Sequence, residues 1–199
     1  MSRNFFLIRH GQTTFNARKV ISGWDEAELT PLGMQQAECV GMILSELGPI
    51  SIFASDLLRA RQTAQGVLKH LKGEAQFVDA LRERHYGEFG GKPVEDYRKA
   101  LADSGGNDER FCPVGGETKS VLRARVLPYL DSLLKQDLEN ILLVGHHGTN
   151  KVILSHLLGE TENSYQQSNC CINELVIYKN HLEIKRLNCV KHLSSITDG

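Results

Sequence analysis

Long apolar runs are missing from this 199-residue sequence, and none approaches the roughly 20 residues that a membrane-spanning helix requires. The apolar run over residues 5–8 is cut short by Arg9 and His10, so the N-terminal stretch does not read as a secretory leader. An excess of either charge is missing too, with 23 Lys+Arg against 24 Asp+Glu and a formal net charge of -1. Such a balance gives no electrostatic reason to expect nucleic acid or an acidic membrane as a partner. The five cysteines, Cys39, Cys112, Cys170, Cys171 and Cys189, are odd in number and follow no disulfide or zinc spacing. They read as reduced thiols of a cytoplasmic protein, and a bridge between the adjacent Cys170 and Cys171 would be strained. The histidines form no metal-ligand cluster by spacing, so neither a metal nor a cofactor is expected. Repeats, low-complexity tracts and linkers are absent as well, which points to one domain over residues 1–199.

What is present is an alternation of strand-like and helix-like segments, the pattern of a layered α/β fold. A three-layer α/β/α sandwich with a mostly parallel central sheet is expected. Residues 4–8 read as the first strand. Thr30 as N-cap and Pro31 at the first helical position open a helix in which Met34, Ala37, Val40, Gly41 and Leu44 recur at helical spacing. Residues 50–54 read as a second strand, 56–70 as a helix and 77–78 as a short strand. From Gly87 to Gly116 the chain is rich in glycine, with a helix expected only over 94–102. A long excursion of this composition reads as a lid or substrate insert. A helix over 117–135, a strand over 140–144 and a helix over 149–158 follow. Residues 173–178 and 182–187 suggest a closing hairpin turned at Asn180-His181, whose edge could pair two copies into a homodimer.

The first strand ends in Arg9-His10-Gly11. Open α/β sheets place their ligands at the C-terminal ends of strands. There Arg9 offers a planar fork of donors for an oxyanion and Gly11 permits close backbone approach. His10 can act as base, ligand or nucleophile. Anion binding beside an imidazole suggests phosphate chemistry, and four further segments extend the pattern. They are Ser22-Gly23-Trp24 leading to Leu29-Thr30 and Gly33; Ser55-Asp56-Leu57-Leu58-Arg59-Ala60-Arg61-Gln62-Thr63-Ala64; Leu81-Arg82-Glu83-Arg84-His85-Tyr86-Gly87; and Gly115-Gly116-Glu117-Thr118 with Val144-Gly145-His146-His147-Gly148.

In this order the segments resemble the histidine phosphatase, or phosphoglycerate mutase-like, superfamily over Leu7 to about Gly159. The resemblance implies that His10 attacks phosphorus and becomes phosphohistidine, needing an acceptor on its other nitrogen to hold the tautomer. It implies that Arg9, Arg59 and His146 surround the phosphate, with Asn16 adding a neutral donor. Arg61 competes with Arg59, but two residues apart on a helix they cannot share a face. His147 competes with His146; by the family pattern it replaces a common glycine and would narrow the pocket. Glu83 matches the general acid that protonates the leaving oxygen, with Glu88 as its substitute. Gly23 and Trp24 would line the substrate entrance. Glu117 either supports the site or begins a helix. His70, His156, His181 and His192 read as structural or solvated.

The resemblance implies a metal-independent phosphomonoesterase acting on a small phosphate ester. A cofactor-dependent phosphoglycerate mutase is the alternative, since residues 23–29 and 83–87 look like the mutase pattern. The single Arg110 stands where the mutases carry paired arginines, and the short chain matches the phosphatase branch. A catalytically silent phospho-ligand or protein-binding member is a third reading, set against by the presence of Arg9, His10, Arg59 and Glu83 together.

Overall fold

The computed structural model describes residues 2–196. Six strands form one sheet in the order β3-β2-β4-β1-β5-β6. They are β1 (Arg3–Arg9), β2 (Ser51–Ser55), β3 (Ala75–Val78), β4 (Asn140–Gly145), β5 (Ile172–Ile177) and β6 (Leu182–Cys189). The first four are mutually parallel, and β5 and β6 add an antiparallel hairpin beside β1. β1 and β4 are apolar through their middles, residues 5–8 and 141–144, because helices cover both faces of the sheet. Alternation then divides their side chains. Phe5, Leu7, Ile141 and Leu143 join one buried cluster, whereas Phe6, Ile8, Leu142 and Val144 join the other.

α2 (Pro31–Leu44) and α3 (Leu58–Leu68) cover the second cluster; α5 (Lys119–Leu134) and α6 (His147–Leu158) cover the first. The result is the expected three layers. α2 starts as its sequence dictates, with Thr30 Oγ1 accepting from Gly33 N at 3.1 Å and Pro31 at the first position. Met34, expected to face inward, is 47% exposed; Gly33, Ala37, Val40, Gly41 and Leu44 carry the buried stripe without it. α3 begins at Leu58 rather than 56, after Leu57 in extended backbone; the Asp56 carboxylate pairs with Arg82 (2.8 and 2.6 Å). α5 begins at Lys119 under a Thr118 cap, leaving Glu117 outside it. α6 begins two residues earlier than the periodicity predicts.

Two further α-helices lie among the described residues. α1 (Thr14–Ala17) is a single turn closed by a reciprocal Thr13–Asn16 capping box, too short to leave a periodic signal. α4 (Val94–Asp103) lies within the Gly-rich excursion. That excursion is no open loop. Phe89 and Tyr97 bury themselves with Ile21 in a third apolar cluster, packed beside the C-terminal ends of the parallel strands.

Candidate active site

β1 and β4 pair with Arg9 opposite Gly145, so the next residues, His10 and His146, leave the sheet side by side. Their ring centroids lie 5.2 Å apart. His10 Nδ1 is 2.8 Å from the Gly11 carbonyl oxygen, which can only accept. Nδ1 therefore carries the proton and Nε2 keeps its lone pair. Burial, with Arg9 and Arg59 close by, holds the imidazole well below its ordinary value, so the ring is neutral at neutral pH.

α3 delivers Arg59 to the same place. Its guanidinium is 1% exposed and donates through Nη2 to the Gly23 carbonyl (2.7 Å) and through Nη1 to the Asp25 carbonyl (3.3 Å). Burial lowers it to about 10, still cationic near neutrality. Its Nε donates to His146 Nδ1 at 3.2 Å, which leaves the proton of a neutral His146 on Nε2. Burial and then Arg59 push His146 well below its ordinary value. Arg9 Nη1 donates to the Gln167 carbonyl at 2.8 Å. Two buried nitrogens in this group, His146 Nε2 and Arg9 Nε, have no acceptor among the described residues.

Glu83 reaches the same cavity from the segment after Leu81, 8% exposed. Its Oε2 accepts from Gly148 N at the start of α6 (2.9 Å) and its Oε1 from Arg84 N (2.9 Å). A Cβ at position 148 would lie 2.5 Å from Oε1, so a side chain there would displace this carboxylate from its present position. Asn16 accepts through Oδ1 from Thr13 N (3.2 Å) and Asn169 Nδ2 (3.1 Å), which leaves its amide N–H groups as donors. Arg9, His10, Asn16, Gly23, Arg59 and Glu83 line a common cavity of about 370 Å³. Among the described residues, no group of three or more His, Cys, Asp or Glu side chains could hold a metal ion.

The sequence model of the histidine phosphatase superfamily (branch 1) matches residues 5–190. The chain belongs to this superfamily. It is 33% identical to the fructose-2,6-bisphosphatase TIGAR of Xenopus tropicalis over 138 residues, which are 67% of this chain and 50% of that protein. The chain thus spans about half the length of this relative. It is 32% identical to the 2,3-bisphosphoglycerate-dependent phosphoglycerate mutase of Methylorubrum extorquens (strain PA1) over 173 residues, 81% of this chain and 82% of that one. The alpha-ribazole phosphatase of Shigella flexneri superposes with a TM-score of 0.84 at 26% identity, covering 94% of this chain and 96% of that one. A mycobacterial glucosyl-3-phosphoglycerate phosphatase in complex with VO3 superposes with a TM-score of 0.81 at 26% identity, covering 94% and 99%. The superfamily's similar members therefore include both phosphatases and mutases.

In this histidine phosphatase superfamily member several expected residues sit elsewhere. His146 does not: it is fully buried within the expected group, its ring 5.2 Å from that of His10 and its Nδ1 held by Arg59. His147 does not narrow the cavity; it opens α6 at an exposed rim beside a smaller cavity with Lys151 and Arg84. Trp24 is not at an entrance. Its Nε1 donates to the Glu83 carbonyl at 2.7 Å, and its ring lies against the Arg82 and Arg125 guanidiniums at 4.6 and 5.8 Å. Arg61 is exposed over the Phe77 ring at 4.3 Å, and Glu88 is exposed outside the cavity. Glu117 supports the Glu83 segment, accepting from His85 N (3.0 Å) and Arg125 Nη2 (2.9 Å). Sequence reasoning did not find Thr63, Gln167 or Asn169. Thr63 lies within a motif-bearing helix, so its spacing from Arg59 was a usable signal; the other two lie in an irregular stretch with none.

Proposed function

We propose that this chain is a metal-independent phosphomonoesterase that hydrolyses a small phosphorylated metabolite through a phosphohistidine on His10. The reading is carried by the two buried donors without acceptors among the described residues, Arg9 Nε and His146 Nε2, beside a neutral imidazole with a free lone pair. A phosphoryl oxygen would give them acceptors. Arg59 adds a buried positive charge, and such preorganised donors stabilise charge spread over a transferring phosphoryl group.

In the first step the His10 Nε2 lone pair forms the N–P bond as the P–O bond to the leaving group breaks. The leaving oxygen takes the proton of the Glu83 carboxyl group. The imidazole becomes cationic, and its Nδ1–H bond to the Gly11 carbonyl strengthens. In the second step water attacks phosphorus and gives a proton to the Glu83 carboxylate. The N–P bond breaks, and inorganic phosphate leaves with His10 neutral again.

His10→Ala is expected to abolish phosphate release, and turnover is expected to persist in EDTA. In the first turnover, Glu83→Gln should slow alcohol release from alkyl phosphates at least about 100-fold but nitrophenolate release from p-nitrophenyl phosphate far less, because nitrophenolate leaves without a proton. Equal losses on both esters would remove Glu83 from the acid role. The phosphoglycerate mutase of M. extorquens, matched over 82% of its length, favours a second reading in which a hydroxyl replaces water. Phosphate release and exchange between 3- and 2-phosphoglycerate, followed in parallel with and without 2,3-bisphosphoglycerate, separate the two. Against the mutase, Arg110 is exposed and does not line the cavity, leaving Arg98 as its one arginine besides Arg9 and Arg59.

A further inference from the structure

Beyond its polar floor the cavity changes character. α4 presents Val94, Tyr97 and Leu101 to it, positions three and four apart that fall on one helix face. Ile21 and Tyr86 extend this surface. The Tyr97 hydroxyl is turned to other work: it donates to Asp108 at 2.5 Å and accepts from Arg84 at 3.0 Å, so its ring is what meets the cavity. The one α4 cation in the lining, Arg98, already pairs with Glu95 at 2.5 Å.

The geometry points to a substrate class: phosphate monoesters whose organic part is compact, uncharged and apolar, alkyl or flat aromatic. The phosphoryl group would sit over His10 while that organic part lies against the α4 stripe. A second phosphate or a carboxylate placed there would be desolvated against Val94 and Leu101, with only the exposed Arg98, shared with Glu95, to meet it. A volume of about 370 Å³ lies near the small end of ligand cavities, which suits a compact ester. For turnover this inference rests on the phosphomonoesterase reading; for binding it stands alone.

Primary n-alkyl phosphates from ethyl to hexyl test it, because their leaving alcohols are almost equally basic and only the buried area changes. With the purified chain, kcat/KM is expected to rise about 3- to 4-fold per methylene until the wall is covered. Leu101→Asp should flatten that slope, and 3-phosphoglycerate should be a poorer substrate than butyl phosphate. In parallel, calorimetry with alkylphosphonates of the same lengths should show Kd falling by a similar factor per methylene, with a negative heat-capacity change. A flat series in both measurements, or tighter binding of 3-phosphoglycerate than of butylphosphonate, would overturn the inference. If esters are hydrolysed but both slopes are flat, the phosphatase reading stands and the apolar wall falls. If phosphonate affinity climbs with length while no ester is hydrolysed, the wall stands and the phosphatase reading falls.

Discussion

Gly11 N donates to Thr63 Oγ1 at 3.0 Å, and Thr63 donates on to the Arg59 carbonyl at 2.7 Å. One hydroxyl thereby joins the loop that holds the His10 tautomer to the helix that carries Arg59. Thr63 is fully buried, so water cannot replace it. Thr63→Val keeps the shape and strands the Gly11 amide, which should cost about 1–3 kcal/mol in urea unfolding. Turnover should fall as well, while Thr63→Ser retains most of both. An unchanged unfolding midpoint in Thr63→Val would show that the amide finds another acceptor. At this scale the residue types were legible: a cation, an imidazole and a glycine at a strand end announce anion chemistry. Their partners were not, since Gly11 holding its own neighbour leaves no periodic or motif signal.

α4 is fastened to the body through Arg84, which is 2% exposed. Arg84 donates to Asp108 (2.7 Å), to Tyr97, and to the carbonyls of Phe111 (2.6 Å) and Glu117 (2.8 Å), while its own amide holds Glu83. Burial pushes the Asp108 carboxyl up, but bonds from Tyr97, Arg84 and Lys119 outweigh it and bring it to about 2. Asp108→Ala would leave a buried guanidinium short of its anion. With Asp108 a third exposed, a loss of about 2 kcal/mol is expected. Because the wall moves with α4, KM for butyl phosphate should rise more than kcat falls. Denaturation and steady-state kinetics on the same variant check both. The elements themselves were largely readable, through alternation in β1 and β4 and through the Thr30-Pro31 start of α2. What failed was the boundary of α3, where Leu57 stays extended ahead of the helix, and the packing of the Gly-rich excursion, whose apolar residues are too few to show a period.

For the whole molecule, folding buries two neutral imidazoles side by side, His10 and His146. In the unfolded chain each regains a value near 6.5, whereas both are held well below it in the fold. Below about pH 6.5 the unfolded state binds protons that the native state refuses. Their contribution to stability is complete above that pH and is lost as the pH falls towards the folded values. The expected slope is about 1.4 kcal/mol per pH unit for each ring. Guanidinium midpoints at pH 7.5 and 5.5 measure it, and His146→Gln should make the dependence shallower. Equal midpoints at both values would contradict neutral burial.

Taken alone, the sequence determined the layered fold class, the order of strands and helices along the chain, and the chemical types available for a phosphate site. These depend on periodicity, caps and short motifs, whose physics acts within a few residues. Only the tertiary structure decided that His146 rather than His147 touches His10, that Trp24 braces Glu83, and that α4 closes the cavity with an apolar face. Such outcomes follow from register between strands some 130 residues apart, Arg9 against Gly145. Successive side chains at a strand end point in opposite directions, so a one-residue shift exchanges a buried neighbour for an exposed one.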